Sequence, residues 1–505
     1  MTAPAGKGAS TLERDALAVL QPGFDGAEPP DWVLRRIGEG LESVAIFGRN
    51  VVSRAQLARL TGRLRAERES LLVAVDEEGG DVTRVEVGEG SSFPGNYALG
   101  SVDDVDLTRS VAAELGRTLA ACGIDHNWAP SADVNANPDN PVIGVRAFGA
   151  DPKLVARHTA AYVEGLQSAG VAACTKHFPG HGDTAVDSHH AMPRIDVGLD
   201  TLAARDLVPF KAAIAAGTKS VMSAHILLPA LDPDRPGTLS PRILTGLLRE
   251  ELGFDGVIVT DGIDMQAIDS AYGMAHGTVL AVAAGADAIC VGGGPSDEGT
   301  VLRLRDALVA AVRSGELPEE RLAEAAARVR ALAGWTLGAR GTTGPGAAVQ
   351  EGTAPGTPVG LAAARRAVRV TGTPAPPAAG GVYVASLSPA ANIAVGPRTP
   401  WGVGPELAEL LPGTGHSAYT EDAYSTGAVL AAAGARPLVV AVRDAHRHPW
   451  MGRALDELVA ARPTTTVVEM GLDRSQPRGA VYIATCGAAR VCGQAAAEVI
   501  AGRAL

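Results

Sequence analysis

Aromatic residues make up only 4% of this 505-residue chain and charged residues 20%, against 46% hydrophobic residues. A core with so few rings must be built mainly from Val, Leu, Ile and Ala, and the apolar share excludes a disordered chain. Basic charge is also short: 44 Lys and Arg face 56 Asp and Glu, a net charge of −12. A diffuse acidic surface suits neither nucleic acid nor anionic membrane, both of which require basic patches. Lysine is the scarcest cation, with only Lys7, Lys153, Lys176, Lys211 and Lys219. The five cysteines (Cys122, Cys174, Cys290, Cys486 and Cys492) are scattered without a CxxC pair. That pattern excludes a disulfide framework and reads as reduced core residues. No apolar run reaches the ~18 residues that a membrane span needs. The N-terminal stretch carries Glu13, Arg14 and Asp15 where a signal peptide would need an apolar segment. The expectation is a cytoplasmic protein with no nucleic-acid or membrane partner; its oligomeric state leaves no signature.

The length suggests two to four domains, at roughly 100–200 residues each. The sharpest break in composition is GARGTTGPGAAVQEGTAPGTPVG, residues 338–360, which has no apolar periodicity and reads as a linker. It divides the chain into domains at 1–337 and 361–505. Before it, short β-branched runs alternate with amphipathic helical stretches: SVAIFG (43–48), LLVAVD (71–76), IDHNWAP (124–130), VAACTKHF (171–178), KSVMSAHI (219–226), GVIVTD (256–261) and DAICVGG (287–293). Near-continuous apolar strands between helices imply a parallel sheet covered on both faces. Seven of them favour a (β/α)8-type TIM barrel with one element irregular or missing. Several runs end in an ionisable residue: Asp76, Lys176 with His177, His225 and Asp261. In a barrel these strand ends converge on one mouth, where active sites are built. The part after the linker also alternates, through runs at 380–387, 436–444, 464–471 and 479–487 to a closing helix at 493–505. It reads as a smaller α/β sandwich domain. TGTP (371–374) and GTGHS (413–417) fit no phosphate-binding spacing.

The densest chemistry lies in KHFPGHGDTAVDSHHAMP (176–193), which holds four of the eleven histidines. Its Pro and Gly residues make it a loop. His177 and His181 are four apart, but Pro179-Gly180 breaks the helical face that a zinc HExxH site uses, so no metal is assigned. Some histidines, His181 and His190 included, can serve as loop residues bonded to backbone. Asp187 and His189 can form an acid/base pair, the carboxylate accepting Nδ1–H and leaving Nε2 to exchange a proton. Asp261, at the end of GFDGVIVTDGIDM (253–265), can attack an anomeric carbon. It can equally cap the following helix.

Together VDEEGGDVTR (75–84), NPDNPVIGVRAFG (137–149), the 176–193 loop and GFDGVIVTDGIDM resemble family 3 glycoside hydrolases. The resemblance is to their β-N-acetylglucosaminidase branch, ordered across residues 40 to about 335. The C-terminal part resembles the family's second domain less specifically. The resemblance implies that Asp261 is the nucleophile and that Asp187 and His189 form the acid/base dyad. It implies that Asp76, Arg146, Lys176 and His177 bind the hydroxyls of the −1 sugar. It implies no cofactor, and a small carbohydrate as substrate. Two positions depart from the branch: Gly262 stands where Ser or Ala is common, and Asp81 where Arg is frequent. The function so implied is a retaining, exo-acting β-N-acetylglucosaminidase acting on peptidoglycan fragments, chitooligosaccharides or other β-GlcNAc glycosides. The alternatives are a phosphorylase using phosphate as acceptor and a non-catalytic sugar-binding protein.

Overall fold

The computed structural model describes residues 10–186, 192–292, 294, 297–343, 358–374, 380–389, 395–396 and 398–503. Eight parallel strands, in chain order, form the first unit. They are β1 (Leu20–Pro22), β2 (Ser43–Ile46), β3 (Leu72–Val75), β4 (His126–Asn127), β5 (Ala172–Phe178), β6 (Ser220–Ser223), β7 (Val257–Thr260) and β8 (Ile289–Val291). Strands β2 to β7 make one continuous parallel sheet, and β1 pairs with β8. A bridge between Val259 and Ala288 joins β7 to β8, and β1 lies beside β2, so the ring comes round on itself. The eighth strand is β1, whose three residues include Pro22 and give no apolar run to read. IDHNWAP contributes only two ladder residues.

The barrel is filled, not hollow. Ala45, Leu72, Ala74, Trp128, Ala172, Cys174, Met222, Val257, Val259, Ala288 and Cys290 pack inside it. A much larger layer lies between the strands and the outer helices. The helix Glu319–Thr343 adds Val329, Leu332 and Ala333 to the inner cluster. Its arginines pair with carboxylates at the strand starts: Arg330 with Glu42, Arg340 with Asp125, and Arg321 and Arg328 with Asp287. This helix therefore closes the N-terminal end of the barrel and leaves the C-terminal rim open for chemistry. It also runs six residues into the Gly/Pro/Thr-rich stretch; a second helix begins at Pro358, and residues 344–357 lie outside the described residues.

The second unit is a six-stranded sheet in the order β11-β10-β12-β13-β14-β9. Its strands are β9 (Arg369–Thr371), β10 (Tyr383–Leu387), β11 (Gly415–Tyr419), β12 (Leu438–Val442), β13 (Thr466–Glu469) and β14 (Val481–Ala484). All pairings are parallel except that of β9 with β14. One apolar cluster lies on each face, as a sandwich requires. The helix Pro358–Ala367 bridges the units, with Arg365 on Glu498 of the second and Arg366 on Asp104 of the first. No described helix is long and apolar enough to cross a membrane.

Candidate active site

Register fixes where the strand ends meet. Thr175 pairs with Val221, and Ser223 with both Phe178 and Thr260, so Lys176, His177 and Asp261 emerge at one rim. Val75 pairs with Asn127, which puts Asp76 on that rim two strands away. Both ends act on the same inner cysteines. Burial pushes the Cys174 thiol up to about 12, and the Asp76 and Asp261 carboxylates add to it. Burial likewise lifts Cys290, with Asp264, Asp261 and Asp76 contributing.

Lys176 is 2% exposed, and a buried ammonium needs counter-charges. It has two: Asp76 Oδ1, and Glu78 Oε1 at 2.6 Å. Glu78 also grips Arg146 bidentately, Nη2 to Oε1 at 2.7 Å and Nε to Oε2 at 3.0 Å. A planar fork on a carboxylate fixes the guanidinium in orientation as well as place. Burial alone would raise the Glu78 carboxyl, but Arg146 and Lys176 hold it well below the usual range. Burial works against the Lys176 charge too, yet Asp76 and Glu78 raise its pKa above the ordinary value. Of the three N–H donors of Lys176, two serve these carboxylates, and among the described residues the third has no carboxylate partner. On its outer side Asp76 Oδ2 accepts from Arg84 at 3.4 Å.

His177 completes the cluster. Its Nδ1–H donates to Asp133 Oδ2 at 2.7 Å, and Arg146 Nη2 lies 3.5 Å from its Nε2. Fully buried, Asp133 also accepts from Ser131 Oγ and from the backbone N–H groups of His177 and His181. Burial opposes its ionisation, but the two imidazoles and these donors keep it ionised well below the usual range. That bond fixes the ring so that Nε2 faces the site. His181 is buried beside it: burial depresses its pKa to about 4, and its Nδ1 lies 2.9 Å from Thr184 Oγ1. Gly182 is needed where it stands, since a Cβ there would lie 1.7 Å from the Val134 carbonyl oxygen.

Asp261 follows β7 and is partly buried, with Oδ1 accepting the Gly262 N–H at 2.8 Å. His225, another strand-end residue, holds that turn: its Nε2 donates to the Gly262 carbonyl at 2.9 Å. Thr238 Oγ1 lies 2.8 Å from its Nδ1. Asp76, Arg146, Lys176 and His177 are thus in one connected cluster, and Asp261 lies on the same rim. Asp187, His189 and His190 lie outside the described residues. Sequence reasoning missed Glu78, Asp133 and Arg84; the signal was the buried Lys and Arg, which demand carboxylates from neighbouring strand-end loops. Asp81 does not line the cluster. It pairs with Arg443 of the second unit at 2.5 Å and accepts the Ala488 N–H at 2.8 Å.

Residues 37–332 match the Glycosyl hydrolase family 3 N terminal domain. The chain is 37% identical to Beta-hexosaminidase A of Pseudoalteromonas piscicida over 312 residues, 57% of this chain and 52% of that one. It therefore spans about half the length of that relative. It is 39% identical to a Beta-hexosaminidase of Stenotrophomonas maltophilia (strain K279a) over 272 residues, 52% of this chain and 79% of the relative. Its fold resembles that of a glycoside hydrolase family 3 beta-N-acetylglucosaminidase from Paenibacillus sp. str. FPU-7, with TM-score 0.87, 33% identity and 98% of each chain covered. With more than half of its length matched, the chain belongs to glycosyl hydrolase family 3.

Proposed function

We propose that this chain is a retaining, exo-acting β-N-acetylglucosaminidase. The observation that carries the proposal is the buried cluster of Asp76, Lys176, Glu78, Arg146 and His177 beside Asp261 on one rim. Such a set offers neutral hydroxyls fixed donors and acceptors in place of water, which justifies burying a lysine and an arginine. The beta-hexosaminidase names of the relatives support GlcNAc as the sugar.

In the first step an Asp261 carboxylate oxygen bonds to C1 while the glycosidic C1–O bond breaks. The aglycone oxygen keeps the electron pair and takes a proton from His189 Nε2, whose ring Asp187 orients. In the second step water attacks C1, gives its proton to His189, and releases Asp261. Terminal β-GlcNAc of peptidoglycan fragments or chitooligosaccharides is the substrate class, and the protein acts in the cytoplasm.

Product analysis with GlcNAc-anhydroMurNAc and with chitobiose, each with and without phosphate, tests this proposal. Free GlcNAc in every arm is expected. Sugar 1-phosphate appearing only with phosphate would make the protein a phosphorylase, and no turnover in any arm would leave a sugar-binding protein.

A further inference from the structure

The second unit meets the barrel at its catalytic rim. Arg443, just after β12, pairs with Asp81, which lies five residues beyond Asp76 on the same strand-end loop. The chain after Arg443 is held rigidly: Glu469 accepts the Asp444 N–H at 2.8 Å, the Ala445 N–H at 3.2 Å and the Gly471 N–H at 2.9 Å. Asp444, at φ 54°, accepts the Leu472 N–H in turn. From this turn His446 reaches across and donates Nε2–H to the Pro138 carbonyl at 3.2 Å. Pro138 belongs to the segment that anchors the catalytic loop. Asn137 N–H donates to Gly182 O, its Nδ2 to Thr184 O at 3.1 Å, and Asn140 Nδ2 to His181 O at 2.9 Å. In sequence, Asp187 follows Thr184 by three residues and His189 by five.

We propose that His446 is a positioning residue for the acid/base step. It fixes residues 137–140 and, through them, the base of the loop carrying Asp187 and His189. The proposal rests on the reading of those two residues as the acid/base dyad. On this account Asp81 is the latch that sets the reach of His446, which explains an acidic residue where the branch often has arginine.

The test compares kcat/KM of wild type, His446→Ala, His446→Gln and His189→Ala on aryl β-N-acetylglucosaminides of graded leaving-group pKa and on chitobiose. The ratio of poor to good leaving groups does not depend on the fraction of enzyme that is folded. Protonation matters least for activated leaving groups, so H446A should keep its rate on the most activated substrate. One lost hydrogen bond should lower the rate on chitobiose about fivefold to tenfold. H446Q, which retains a donor, should recover most of the loss. A uniform loss across the series, or none, with H189A still steeply dependent on the leaving group, would overturn the role of His446 alone. An H189A series without such dependence would overturn the dyad and this proposal together.

Discussion

Glu78 is the hinge of the proposed sugar site, and its neutral isostere gives the sharpest forecast. In Glu78→Gln one side-chain oxygen can stay where Oε1 is, facing Arg146 Nη2 and Lys176 Nζ. The amide NH2 must then face Arg146 Nε–H, which now donates to Oε2 at 3.0 Å. Donor meets donor, and two buried cations lose their shared carboxylate. Removing one partner of a buried ion pair costs about 3–5 kcal/mol. Lys176 keeps Asp76, so the lower end applies to it; among the described residues Arg146 keeps the Val142 carbonyl and the His177 contact. A melting-temperature loss of about 5 °C follows for a barrel of this size. If about 2 kcal/mol of the loss falls on the transition state, kcat/KM drops about 30-fold. Thermal unfolding and steady-state kinetics on an aryl β-N-acetylglucosaminide read the two effects. An E78Q protein with wild-type melting and wild-type kcat/KM would refute the claim that Glu78 organises the site.

Neighbouring Glu77 should behave oppositely. Its Oε2 accepts the Arg84 and Val85 N–H groups at 2.6 and 2.8 Å, while Oε1 has no partner among the described residues. Burial lifts its pKa from 4.5 to about 7. The folded state therefore favours the protonated acid, and the contribution of Glu77 to stability is fully present below pH 4.5 and falls as pH rises toward 7. The shift is worth ~3 kcal/mol, which Glu77→Gln should restore above pH 7, as denaturant melts across that range would show. In Asp133→Asn the backbone N–H groups of His177 and His181 hold the amide oxygen at the Oδ1 position, so the NH2 faces His177 Nδ1 and should switch the ring to its other tautomer. The loss of a hydrogen bond to a charged group predicts about a 10- to 150-fold fall in kcat/KM, and NMR of the imidazole should report the changed tautomer.

The barrel was legible because its strands are near-continuous apolar runs ending in ionisable residues, and Asp76, Lys176, His177 and Asp261 could be picked out from those ends alone. Strand β1 was not, since Leu20-Gln21-Pro22 is too short and proline-broken to carry a period. Strand β11 was missed for another reason: it is a largely exposed edge strand of polar residues, Gly415–Tyr419, paired on one side only. Composition placed the linker from 338, but tertiary pairing of Arg340 with Asp125 keeps that stretch helical to Thr343. Glu78 and Asp133 look like ordinary loop carboxylates in sequence. Only the fold shows that each neutralises or orients a residue far along the chain: Glu78 acts on Arg146 and Lys176, Asp133 on His177. Asp81 stood out in the sequence as a departure from the branch, and in the structure it makes one of the contacts between the two units.

The central claim is that Asp261 forms a covalent bond to the sugar during turnover. Intact-mass spectrometry of the enzyme, trapped with a 5-fluoro derivative of an activated N-acetylglucosaminide, tests it directly. The account predicts a mass increase of one glycosyl unit, mapped by peptide digestion to the segment containing Asp261 and absent in Asp261→Asn. Full turnover with no adduct, or an adduct on any other residue, would contradict it.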